Sequence, residues 1–392
     1  MKILSVNAGS SSLKFQMYEM PYEKVLISGV FERIGLKDSF YTLKIDGNKV
    51  KKQVNLEDHE KAVEMLSDEL INNNIVSSLD EIKAIGHRVV HGGDKYSDSV
   101  IIDDDVLKTV EDLSKLAPLH NPANLIGIKA FMKKISKAVS VAIFDTAFHQ
   151  TIEKEEFLYS TPYEWYEKHQ VRKYGFHGTS HKYITSRMKD VLNKEDVNLI
   201  TCHLGNGASL CAVKNGESKD TTMGFTPNAG LIMGTRSGDI DFTLIPHVMD
   251  EEEKDLNEVL NDLNKKSGFL GISKISSDSR EIEEAYLNND EKAVLTQKMY
   301  VKRIVSYIAK YFVFLKEVDA ITFSGGIGEN SSLTRKMIIE ELQPLGIYLD
   351  ETLNDKREDE FLISNDSSKV KCYVIKTDEE VMIAKETYRL AK

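Results

Sequence analysis

The sequence predicts an α/β protein of two domains built from one duplicated unit. At 392 residues, the chain is longer than a single typical core supports. Strand-like apolar runs alternate with helical patterns along it. The same pattern occurs at 3–15 and again at 197–213: a strand, a cluster of small residues and a second strand. Within it, Ser12-Leu13 recurs as Ser209-Leu210 after 197 residues. A motif repeated half a chain apart indicates gene duplication. We therefore expect both hairpins to converge on one ligand in a cleft between the two halves.

Composition and charge exclude several classes of function. The chain is 41% hydrophobic and 29% charged, and its net charge of −11 argues against a nucleic-acid partner. No apolar run approaches membrane-spanning length, and the N-terminus MKILSVNAGS lacks the apolar core of a signal peptide. Three cysteines without C-x-x-C spacing indicate a reducing compartment. We expect a soluble cytoplasmic protein without a membrane or nucleic-acid partner.

The first half of the chain is predicted to begin with strands and to continue with helices. Strands are predicted over 2–7, 13–18, 25–31, 40–46 and 49–55, with Asp46-Gly47 as the turn between the last two. Helices are predicted over 58–72, 103–116 and 122–137, with a break at Pro118. Residues 84–93 are typical of a strand that ends in a glycine turn, and 139–145 of a buried strand.

The second half of the chain repeats the opening pattern after a loop-like stretch. That loop is predicted from His149 to Pro162, and the second hairpin covers 197–213. Residues 319–333 indicate a strand, a glycine turn and the start of a helix. The chain ends with a strand from Val370 and a helix from about Asp378. The acidic run 250–255 is predicted to be a solvated helix face.

The first hairpin, ILSVNAGSSSLKF, carries more small residues than a turn requires. Ala8 to Ser12 are all small, whereas a tight turn needs two to four residues. Backbone N–H groups that can approach a ligand closely, followed by Lys14, suit a phosphate. The segment is not a P-loop, because a second strand follows where that loop opens a helix. Two interpretations stay open: a phosphate-binding hairpin and an ordinary hydroxyl-rich hairpin.

Seven segments in order along the chain resemble the acetate kinase family. They are NAGSSSLKF (7–15), HRVVHGG (87–93), FDTAFH (144–149), YGFHGTSH (174–181), HLGNGAS (203–209), GTRSGDID (234–241) and SGGIGEN (324–330). The resemblance covers essentially the whole chain. It implies the superfamily of acetate and sugar kinases, heat-shock-70 chaperones and actin, whose fold is a duplicated ribonuclease-H-like α/β unit with ATP in the interdomain cleft. The implied domains are 1–149 with 381–392, and 150–380.

The resemblance also implies a reaction: ATP and acetate give ADP and acetyl phosphate by direct in-line transfer. It implies Mg²⁺, for which Mn²⁺ can substitute, and a homodimer. Phosphoryl transfer depends on positioning and on neutralising charge. Both the attacking carboxylate and the γ-phosphate are anions, so cations must hold them together. A general base is unnecessary, because acetate is already ionised near neutral pH.

Four residues would carry the catalysis by this resemblance. Arg88 would bind acetate, since a guanidinium can hold a carboxylate bidentately. Arg236 would meet charge on the transferring phosphoryl group, and His177 would donate a hydrogen bond to it. Asp145, at the end of a buried strand, would orient the arginines or the water shell of the metal. Taken alone, an arginine is more typical of a surface ion pair, and His177 is more typical of a structural histidine.

The nucleotide and metal ligands follow from the same resemblance. Mg²⁺ prefers oxygen ligands, which here would be Asn7 and Glu379. The residues assigned to the nucleotide lie mostly in glycine-containing turns, and they are Lys14, His203, Leu204, Gly205, Asn206, Gly207, Asp278, Ser279, Arg280, Gly326, Ile327, Gly328, Glu329 and Asn330. A plain glycine turn is the alternative for each loop. A zinc site at His87 and His91 is disfavoured, because their run is strand-like.

Four apolar residues match the methyl pocket of the family: Val90, Leu119, Phe176 and Pro227. His120 matches a supporting histidine of the acetate site. A small pocket disfavours longer acids, although one methylene is worth only about 1–3 kcal/mol. The chain has TPNAG (226–230) where the family commonly has TPLEG, so Asn228 and Ala229 bear on the choice of acid.

Two alternatives to an acetate kinase remain at the level of sequence. A kinase for propionate or another short acid would share the fold and would differ in relative kcat/KM across acids. An ATP-binding switch or filament protein of the actin type would need no clamp for a carboxylate, so the paired Arg88 and Arg236 argue against it. ATP turnover that did not depend on an added carboxylate would favour that protein.

Overall fold

A computed structural model of the chain describes residues 1–118 and 120–392. The chain forms two compact units, Met1–Gln150 with Asp378–Lys392, and Thr151–Thr377. It passes from the first unit to the second after Gln150 and returns after Thr377, whereas the sequence prediction put the return after residue 380. Within the described part of the chain, no helix is both long enough and apolar enough to cross a bilayer.

Most strands lie close to where the alternation of apolar and polar residues predicts them, whereas the short strands Val100–Ile101, Glu217–Thr221 and Glu360–Leu362 were not predicted. The strands are β1 (Lys2–Ala8), β2 (Ser12–Glu19), β3 (Lys24–Glu32), β4 (Phe40–Ile45), β5 (Asn48–Gln53), β6 (Ile82–Val89), β7 (Val100–Ile101), β8 (Val139–Phe144), β9 (Leu199–Leu204), β10 (Ala208–Lys214), β11 (Glu217–Thr221), β12 (Ala320–Ser324), β13 (Glu360–Leu362) and β14 (Lys371–Ile375). All three predicted hairpins, β1–β2, β4–β5 and β9–β10, are present.

Several helices begin at an Asp whose side chain accepts a backbone N–H, as at Asp58, Asp103 and Asp378. The helices are α1 (His59–Asn72), α2 (Asp104–Asp112), α3 (Asn121–Lys134), α4 (Lys154–Phe157), α5 (Tyr163–His169), α6 (Gly178–Leu192), α7 (Leu244–Glu252), α8 (Leu256–Lys265), α9 (Gly268–Ser273), α10 (Ser279–Leu287), α11 (Glu291–Leu315), α12 (Gly325–Asn330), α13 (Ser332–Glu341), α14 (Glu351–Asn354) and α15 (Glu379–Ala391). Short 3₁₀ turns occupy Leu79–Glu81, Leu113–Lys115, Ala147–Thr151 and Gln343–Leu345.

The first unit contains a mixed sheet with the strand order β5-β4-β3-β2-β1-β6-β8-β7. β1 pairs antiparallel with β2 and parallel with β6, which pairs parallel with β8. The carboxyl ends of parallel strands meet at one edge of a sheet, where α/β proteins bind ligands. Asn7, Arg88 and Asp145 stand at or just beyond the ends of β1, β6 and β8, so the topology brings them to that edge.

The sheet of the second unit repeats this topology. Its order is β11-β10-β9-β12-β14-β13, in which β9 pairs antiparallel with β10 and parallel with β12, and β12 pairs parallel with β14. Strand by strand, this matches β3-β2-β1-β6-β8-β7 in order and direction. The predicted duplication of an α/β unit is therefore confirmed. His203, Gly325 and Thr377 lie at the corresponding edge of this sheet.

Helix α15 covers one face of the first sheet and packs against β6, β1 and β8. The contact is close at Gly86 of β6, where an added Cβ would lie 2.1 Å from Thr387 Oγ1 and 2.6 Å from Ile383 Cγ2. Only glycine permits this approach. Because α15 is held against β6, its first residues, Glu379 and Glu380, lie near the end of the strand that carries Arg88.

Two local predictions were wrong. The stretch between His149 and Pro162 is not simply a loop, because it contains a 3₁₀ turn and the short helix α4, whose first turn carries Glu155 and Glu156. The acidic run 250–255 is not one helix face. α7 ends within it, Glu253 adopts a left-handed conformation, and Asp255 caps α8 with a side chain that accepts from Glu258 N. Its acidic side chains are exposed, as expected.

Candidate active site

The hairpin β1–β2 brings Lys14 opposite Asn7. Asn7 pairs with Lys14 across the two strands, and Gly9 N donates to Ser12 O at 2.8 Å to close the turn. His59 Nε2 lies 2.7 Å from Gly9 O and anchors the turn to α1. Lys14 forms an ion pair with Glu380 of α15 while remaining more than half exposed. The lysine therefore reaches the start of α15 and also stays accessible to an anion.

Arg88 and Asp145 form the ion pair at the edge of the first sheet. Arg88 Nη2 donates to Asp145 Oδ2 at 2.5 Å, and Arg88 Nε lies 3.1 Å from both carboxylate oxygens. Arg88 Nη1 donates to Asn7 Oδ1 at 3.3 Å. Burial lowers the pKa of Arg88, but Asp145, Glu379 and Glu380 together raise it above its ordinary value. Asp145 is buried, so the guanidinium is held from one side and its Nη1 edge is directed toward Asn7.

Three carboxylates surround this arginine, and they differ in their partners. Asp145 pairs with Arg88, and Glu380 pairs with Lys14. The carboxylate of Glu379 accepts no hydrogen bond and forms no ion pair with any residue the structure describes. Burial raises the pKa of Glu379 to about 7, and Asp145 and Glu380 contribute, although Arg88 and Lys14 oppose them. Among the described residues, no group of three or more His, Cys, Asp or Glu side chains forms a metal centre by itself.

The loop after β6, from Val90 to Gly93, is fixed by two buried asparagines that the sequence reading missed. Asn121 accepts from His91 N and donates to His91 O, both at 3.1 Å. Asn124 accepts from Val90 N at 3.1 Å and donates to Ala8 O at 2.7 Å. The segment NPAN (121–124) begins α3. Its two asparagines lie on the first turn of a largely apolar helix, and this pattern could have predicted their structural role.

The remaining predicted residues of the first unit lie near this loop in sequence. Val90 is 6% exposed. His120 stands immediately before α3 and is exposed. Leu119 lies outside the described residues. His87 and His91 are both buried, which lowers the pKa of His87 to about 3 and that of His91 to about 4.

In the second unit, the turn His203–Gly207 between β9 and β10 is clamped to neighbouring backbone. Gly205 N donates to Gly207 O at 3.0 Å, and Gly234 N donates to Asn206 O at 2.9 Å. An added Cβ on Gly234 would lie 1.8 Å from Asn206 Oδ1, so this position must be glycine for Asn206 to fit. His203 Nδ1 lies 2.8 Å from Ser180 Oγ, which in turn lies 2.7 Å from Thr377 Oγ1.

His177 and Arg236 meet at Gly207. A Cβ atom on Gly207 would lie 3.4 Å from His177 Nε2 and 3.5 Å from Arg236 Nη2. His177 precedes α6 with a left-handed backbone, and its Nδ1 lies 2.9 Å from Ser209 Oγ. His181 Nε2 lies 2.8 Å from the same hydroxyl. The ring of His177 is thus oriented from its Nδ1 side, with Nε2 directed to the Gly207 turn.

Arg236 differs from Arg88 in having no carboxylate partner among the described residues. Its Nη1 donates to Pro227 O at 2.9 Å, and burial lowers the pKa of its guanidinium. A buried cation without a counter-charge is costly unless an anion binds there. Phe176, next to His177 in the chain, is buried, and Pro227 is half-buried.

The second glycine turn, Gly325–Asn330, lies beside the first. A Cβ on Gly205 would lie 3.9 Å from Gly326 N, whereas a Cβ on Gly326 itself would meet nothing within 4 Å. Glu329 Oε1 accepts from Gly325 N at 2.8 Å and from Thr377 N at 3.0 Å. The predicted Glu329 therefore shapes the turn. Of its neighbours, Ile327 and Gly328 are buried, and Asn330 donates to Gly326 O.

The segment Asp278–Arg280 begins α10 and lies near the same turns. Ser277 O would be 2.9 Å from a Cβ on Gly234, which places this segment next to Asn206. Asp278 accepts from Arg280 N and pairs with the Arg280 guanidinium, and these bonds lower the pKa of Asp278 to about 2. Arg280 is largely exposed, so its side chain is free to turn toward a ligand.

The predicted site residues thus form two groups, one in each unit. The first half-site comprises Asn7, Lys14, Arg88, Asp145 and Glu379. The second half-site comprises the residues around the two glycine turns, namely His177, His203, Leu204, Gly205, Asn206, Gly207, Arg236, Gly326, Asp278, Ser279 and Arg280. Each half-site contains one half-buried arginine.

Comparison with known proteins gives a consistent result. The family model described as the Acetokinase family matches residues 2–385. The acetate kinase of Bacillus cytotoxicus is 54% identical over 391 residues, covering 99% of this chain and 98% of that protein, and that of Bacillus subtilis is 53% identical over the whole of both chains. The crystal structure of Porphyromonas gingivalis acetate kinase matches with a TM-score of 0.95 at 43% identity, covering both chains completely.

A propionate kinase is also among the similar structures. The enzyme of Francisella tularensis matches with a TM-score of 0.94 at 41% identity, covering 99% of each chain. The predicted α/β fold of the actin-like ATPases is confirmed by these structures together with the duplicated sheets. On this fold and these matches, which extend along essentially the whole chain, the protein belongs to the Acetokinase family.

Proposed function

We propose that the protein is an ATP-dependent acetate kinase that makes acetyl phosphate and ADP by direct in-line transfer. The observation that supports this most strongly is the unequal environment of the two arginines. Arg88 is held by a buried carboxylate, whereas Arg236 is half-buried without one, beside His177 and a glycine turn. An enzyme that joins two anions needs positive charge near both, and a guanidinium without a carboxylate partner is available to the transferring group.

Acetate would bind to Arg88 of the first half-site. Asp145 fixes the Nε and Nη2 side of the guanidinium, which leaves the Nη1 edge for a carboxylate. Such a fork sets the direction from which a carboxylate oxygen attacks. Asp145 would therefore orient Arg88 and would not act as a base.

The transferring phosphoryl group would bind at the second half-site. Arg236 Nη2 and His177 Nε2 both point at the Gly207 turn, where donors could meet the equatorial oxygens as charge develops. Gly326 leaves open space for the nucleotide, and Asp278, Ser279 and Arg280 would lie near its sugar and base. We propose that Lys14, which is more than half exposed, contacts phosphate of the nucleotide.

Mg²⁺ fits Asn7 and Glu379. Both offer oxygen atoms, and the Glu379 carboxylate makes no hydrogen bond within the described residues although Asp145 and Glu380 lie near enough to raise its pKa. A divalent cation would relieve this excess of negative charge, and Mg²⁺ commonly takes only one or two protein ligands. When bound, the ion would neutralise phosphate charge. Mn²⁺, which also suits oxygen ligands, would substitute.

Propionate is the second candidate substrate, because one segment departs from the family. Asn228 and Ala229 stand where the family commonly has a bulky apolar residue and an acid. Ala229 Cβ would lie 3.2 Å from a Cβ on Gly224, so this turn is tightly packed in the present chain. Val90, Leu119, Phe176 and Pro227 would line the methyl pocket, with His120 supporting it.

The quaternary and cellular context follows the family. We propose a homodimer in the cytoplasm, whose two domains correspond to the two compact units. The three cysteines Cys202, Cys211 and Cys372 are buried thiols, which agrees with a reducing compartment.

A hydroxamate assay for acyl phosphate tests the function directly. With MgATP, the protein should form acyl phosphate from acetate faster than from propionate, and least from butyrate, by kcat/KM. A higher kcat/KM for propionate would make it a propionate kinase. ATP hydrolysis that is independent of any carboxylate, without acyl phosphate, would contradict the proposal and favour an actin-type switch.

Removal of the metal provides a second test of the same proposal. Chelation by EDTA should abolish acyl phosphate formation, and added Mg²⁺ or Mn²⁺ should restore it. Glu379→Gln should weaken metal binding, measured by Mn²⁺ titration in electron paramagnetic resonance, without lowering the thermal unfolding midpoint. Unchanged Mn²⁺ affinity would show that Glu379 is not a ligand.

A further inference from the structure

The loop that carries Arg236 is closed at its base by one carboxylate. We define the Arg236 loop as residues 230–239. Its two ends are joined twice: Asp239 N donates to Gly230 O at 3.1 Å, and Gly230 N donates to Asp239 Oδ1 at 2.7 Å. Gly230 has φ +93°, and a Cβ there would lie 2.6 Å from Thr222 O. Only glycine therefore fits at this end of the loop.

Two residues of α11 bind the closed base from outside. Tyr307 OH donates to Asp239 Oδ2 at 2.5 Å. Arg303 Nη1 donates to Gly230 O at 3.1 Å and to Asp239 O at 3.3 Å. Positions 303 and 307 are four apart and share one helix face. Burial and the bond to Asp239 raise the pKa of Tyr307, which keeps its hydroxyl a donor.

Helix α11 is a rigid support for these contacts. It runs for 25 residues and packs against β10 and β9, with Tyr300, Ile304, Ile308 and Tyr311 buried on its inner side. β9 and β10 are the strands that hold the His203–Gly207 turn. The same helix thus supports both the turn and the base of the Arg236 loop.

Backbone hydrogen bonds inside the loop fix the main chain on either side of Arg236. Met233 N donates to Arg236 O at 3.1 Å, and Met233 O accepts from Phe269 N at 2.9 Å. Thr235 O accepts from Ser267 N at 2.9 Å. The backbone on either side of Arg236 is therefore hydrogen-bonded, and the side chain leaves a fixed point to reach Pro227 O.

We propose that Asp239, Tyr307 and Arg303 are positioning residues that hold the Arg236 guanidinium in place before the phosphoryl group arrives. The inference rests on the proposed function, because it concerns the arginine assigned to phosphoryl transfer. None of the three touches the reacting groups, and each acts through the base of the loop. A donor fixed in advance stabilises a transition state without reorganising, and a small misplacement costs rate.

Two substitutions test the carboxylate and its partner separately. Tyr307→Phe removes one hydroxyl and keeps the ring. Asp239→Asn leaves a single oxygen for the two donors Tyr307 OH and Gly230 N–H, so one donor loses its acceptor. We expect kcat to fall about 10-fold for Tyr307→Phe and more for Asp239→Asn, with KM for ATP and acetate changed less than about 2-fold. Tyr348→Phe is the matched control, since that hydroxyl bonds to no described residue.

A double-mutant cycle separates positioning from general destabilisation. If Tyr307 acts through Arg236, then Tyr307→Phe should have little further effect on kcat in an Arg236→Ala background. Hydrogen exchange of the peptide covering 230–239 should be faster in Tyr307→Phe and unchanged in Tyr348→Phe. Unchanged exchange, an unchanged kcat, or an equal loss in both backgrounds would overturn the positioning role.

The same measurements distinguish this inference from the proposed function. A wild-type protein that forms no acyl phosphate would remove the proposed function, while hydrogen exchange would still report whether Tyr307 fixes the loop. An active wild type with unaffected variants would retain the function and remove the positioning role.

Discussion

Arg88 and Arg236 have similar predicted tasks but opposite electrostatic surroundings. Arg88 lies beside the buried Asp145 and near two further carboxylates, so its charge is compensated before any substrate binds. Arg236 is bound by the carbonyl of Pro227, and burial opposes its charge. Removing Arg88 should therefore lower the stability of the fold, whereas removing Arg236 should leave it unchanged or raise it. Both changes should also affect catalysis.

Arg88→Ala should raise KM for acetate strongly and lower kcat, because the carboxylate loses its bidentate partner and its orientation. Arg88→Lys should recover little, since an ammonium cannot form the fork. The change to Ala also leaves Asp145 buried without its cation, which typically costs about 3–5 kcal/mol of stability. Steady-state kinetics and urea unfolding measure the two effects. Arg33→Ala is the control, since Arg33 is an exposed arginine of the same unit and bonds to the backbone carbonyl of Lys37, with no carboxylate partner among the described residues. Near-wild-type kinetics for both Arg88 variants would show that acetate binds elsewhere.

Arg236→Ala should act mainly on kcat, with a smaller change in nucleotide affinity. Because no carboxylate loses a partner, its thermal unfolding midpoint should equal or exceed that of the wild type. Added guanidinium should restore part of the rate by occupying the vacated space. Kinetics with and without guanidinium hydrochloride, against an equal concentration of sodium chloride, provide the measurement. Lost ATP binding with kcat preserved at saturation would contradict this assignment.

At the scale of elements, candidate site residues lie at the ends of strands, and residues at the starts of helices fix the adjoining loops. β6 presents Arg88, and the loop that follows is bound by Asn121 and Asn124 from the first turn of α3. α15 brings Glu379 to the same edge because Gly86 lets the helix approach β6. A site residue is thus positioned by an element that is distant in sequence.

Asn121→Ala should destabilise the first unit by about 2–3 kcal/mol, because the buried N–H and C=O of His91 both lose this partner. KM for acetate should rise, since the loop with Val90 would be less ordered. Urea unfolding and acetate titrations measure these changes. Asn72→Ala, at the exposed end of α1, removes the same side chain without a buried bond. Equal unfolding curves for the two variants would show that the Asn121 clamp contributes nothing.

At the scale of the whole molecule, the duplicated topology divides the site residues between two units. Each unit has its own sheet, and in each unit the turn of the hairpin lies at the carboxyl edge of that sheet. Duplication therefore explains why a hairpin with a turn of small residues occurs twice in one chain. It does not explain the two arginines, because Arg88 lies on β6, whose counterpart β12 carries no arginine, whereas Arg236 follows β11. The first sheet also buries His87 near that edge, and this histidine ties stability to pH.

Stability should fall as the pH drops below about 6.5, because His87 is buried in the folded chain. Burial lowers the pKa of His87 from its ordinary value of 6.5 to about 3. Between these two pKa values, the unfolded chain binds a proton that the folded chain does not. The contribution of neutral His87 to the free energy of unfolding is therefore complete above pH 6.5, and it decreases by about 1.4 kcal/mol per pH unit below that pH.

His87→Leu should make the free energy of unfolding less dependent on pH, by up to the contribution of one proton. Urea unfolding between pH 4.5 and about 7 measures this dependence. Buried His91 contributes in the same direction, so part of the slope should remain. His169→Gln, an exposed histidine of the other unit, is the comparison. A slope that is unchanged in His87→Leu would show that the imidazole is not kept neutral by the fold.

Most strands, the main helices of the first half, the repeated hairpin and the residue types of the site were predicted from the sequence. They are local properties: apolar periodicity, glycine turns and Asp caps act over a few residues. The family resemblance then identified Arg88, Arg236 and His177 as candidates. Local patterns also misled, as in the acidic run 250–255, where a helix end and a new cap interrupt what looks like one face.

Only the tertiary structure decided which charges meet. The pairing of Arg88 with Asp145, of Lys14 with Glu380, and of Asp239 with Tyr307 joins residues 57 to more than 300 positions apart, through strand order and helix packing. Periodicity carries no information on such pairs, because it describes the environment of each residue and not the identity of its neighbour. The sequence therefore determined the kind of chemistry, whereas the fold determined which arginine is compensated and which is left for an anion.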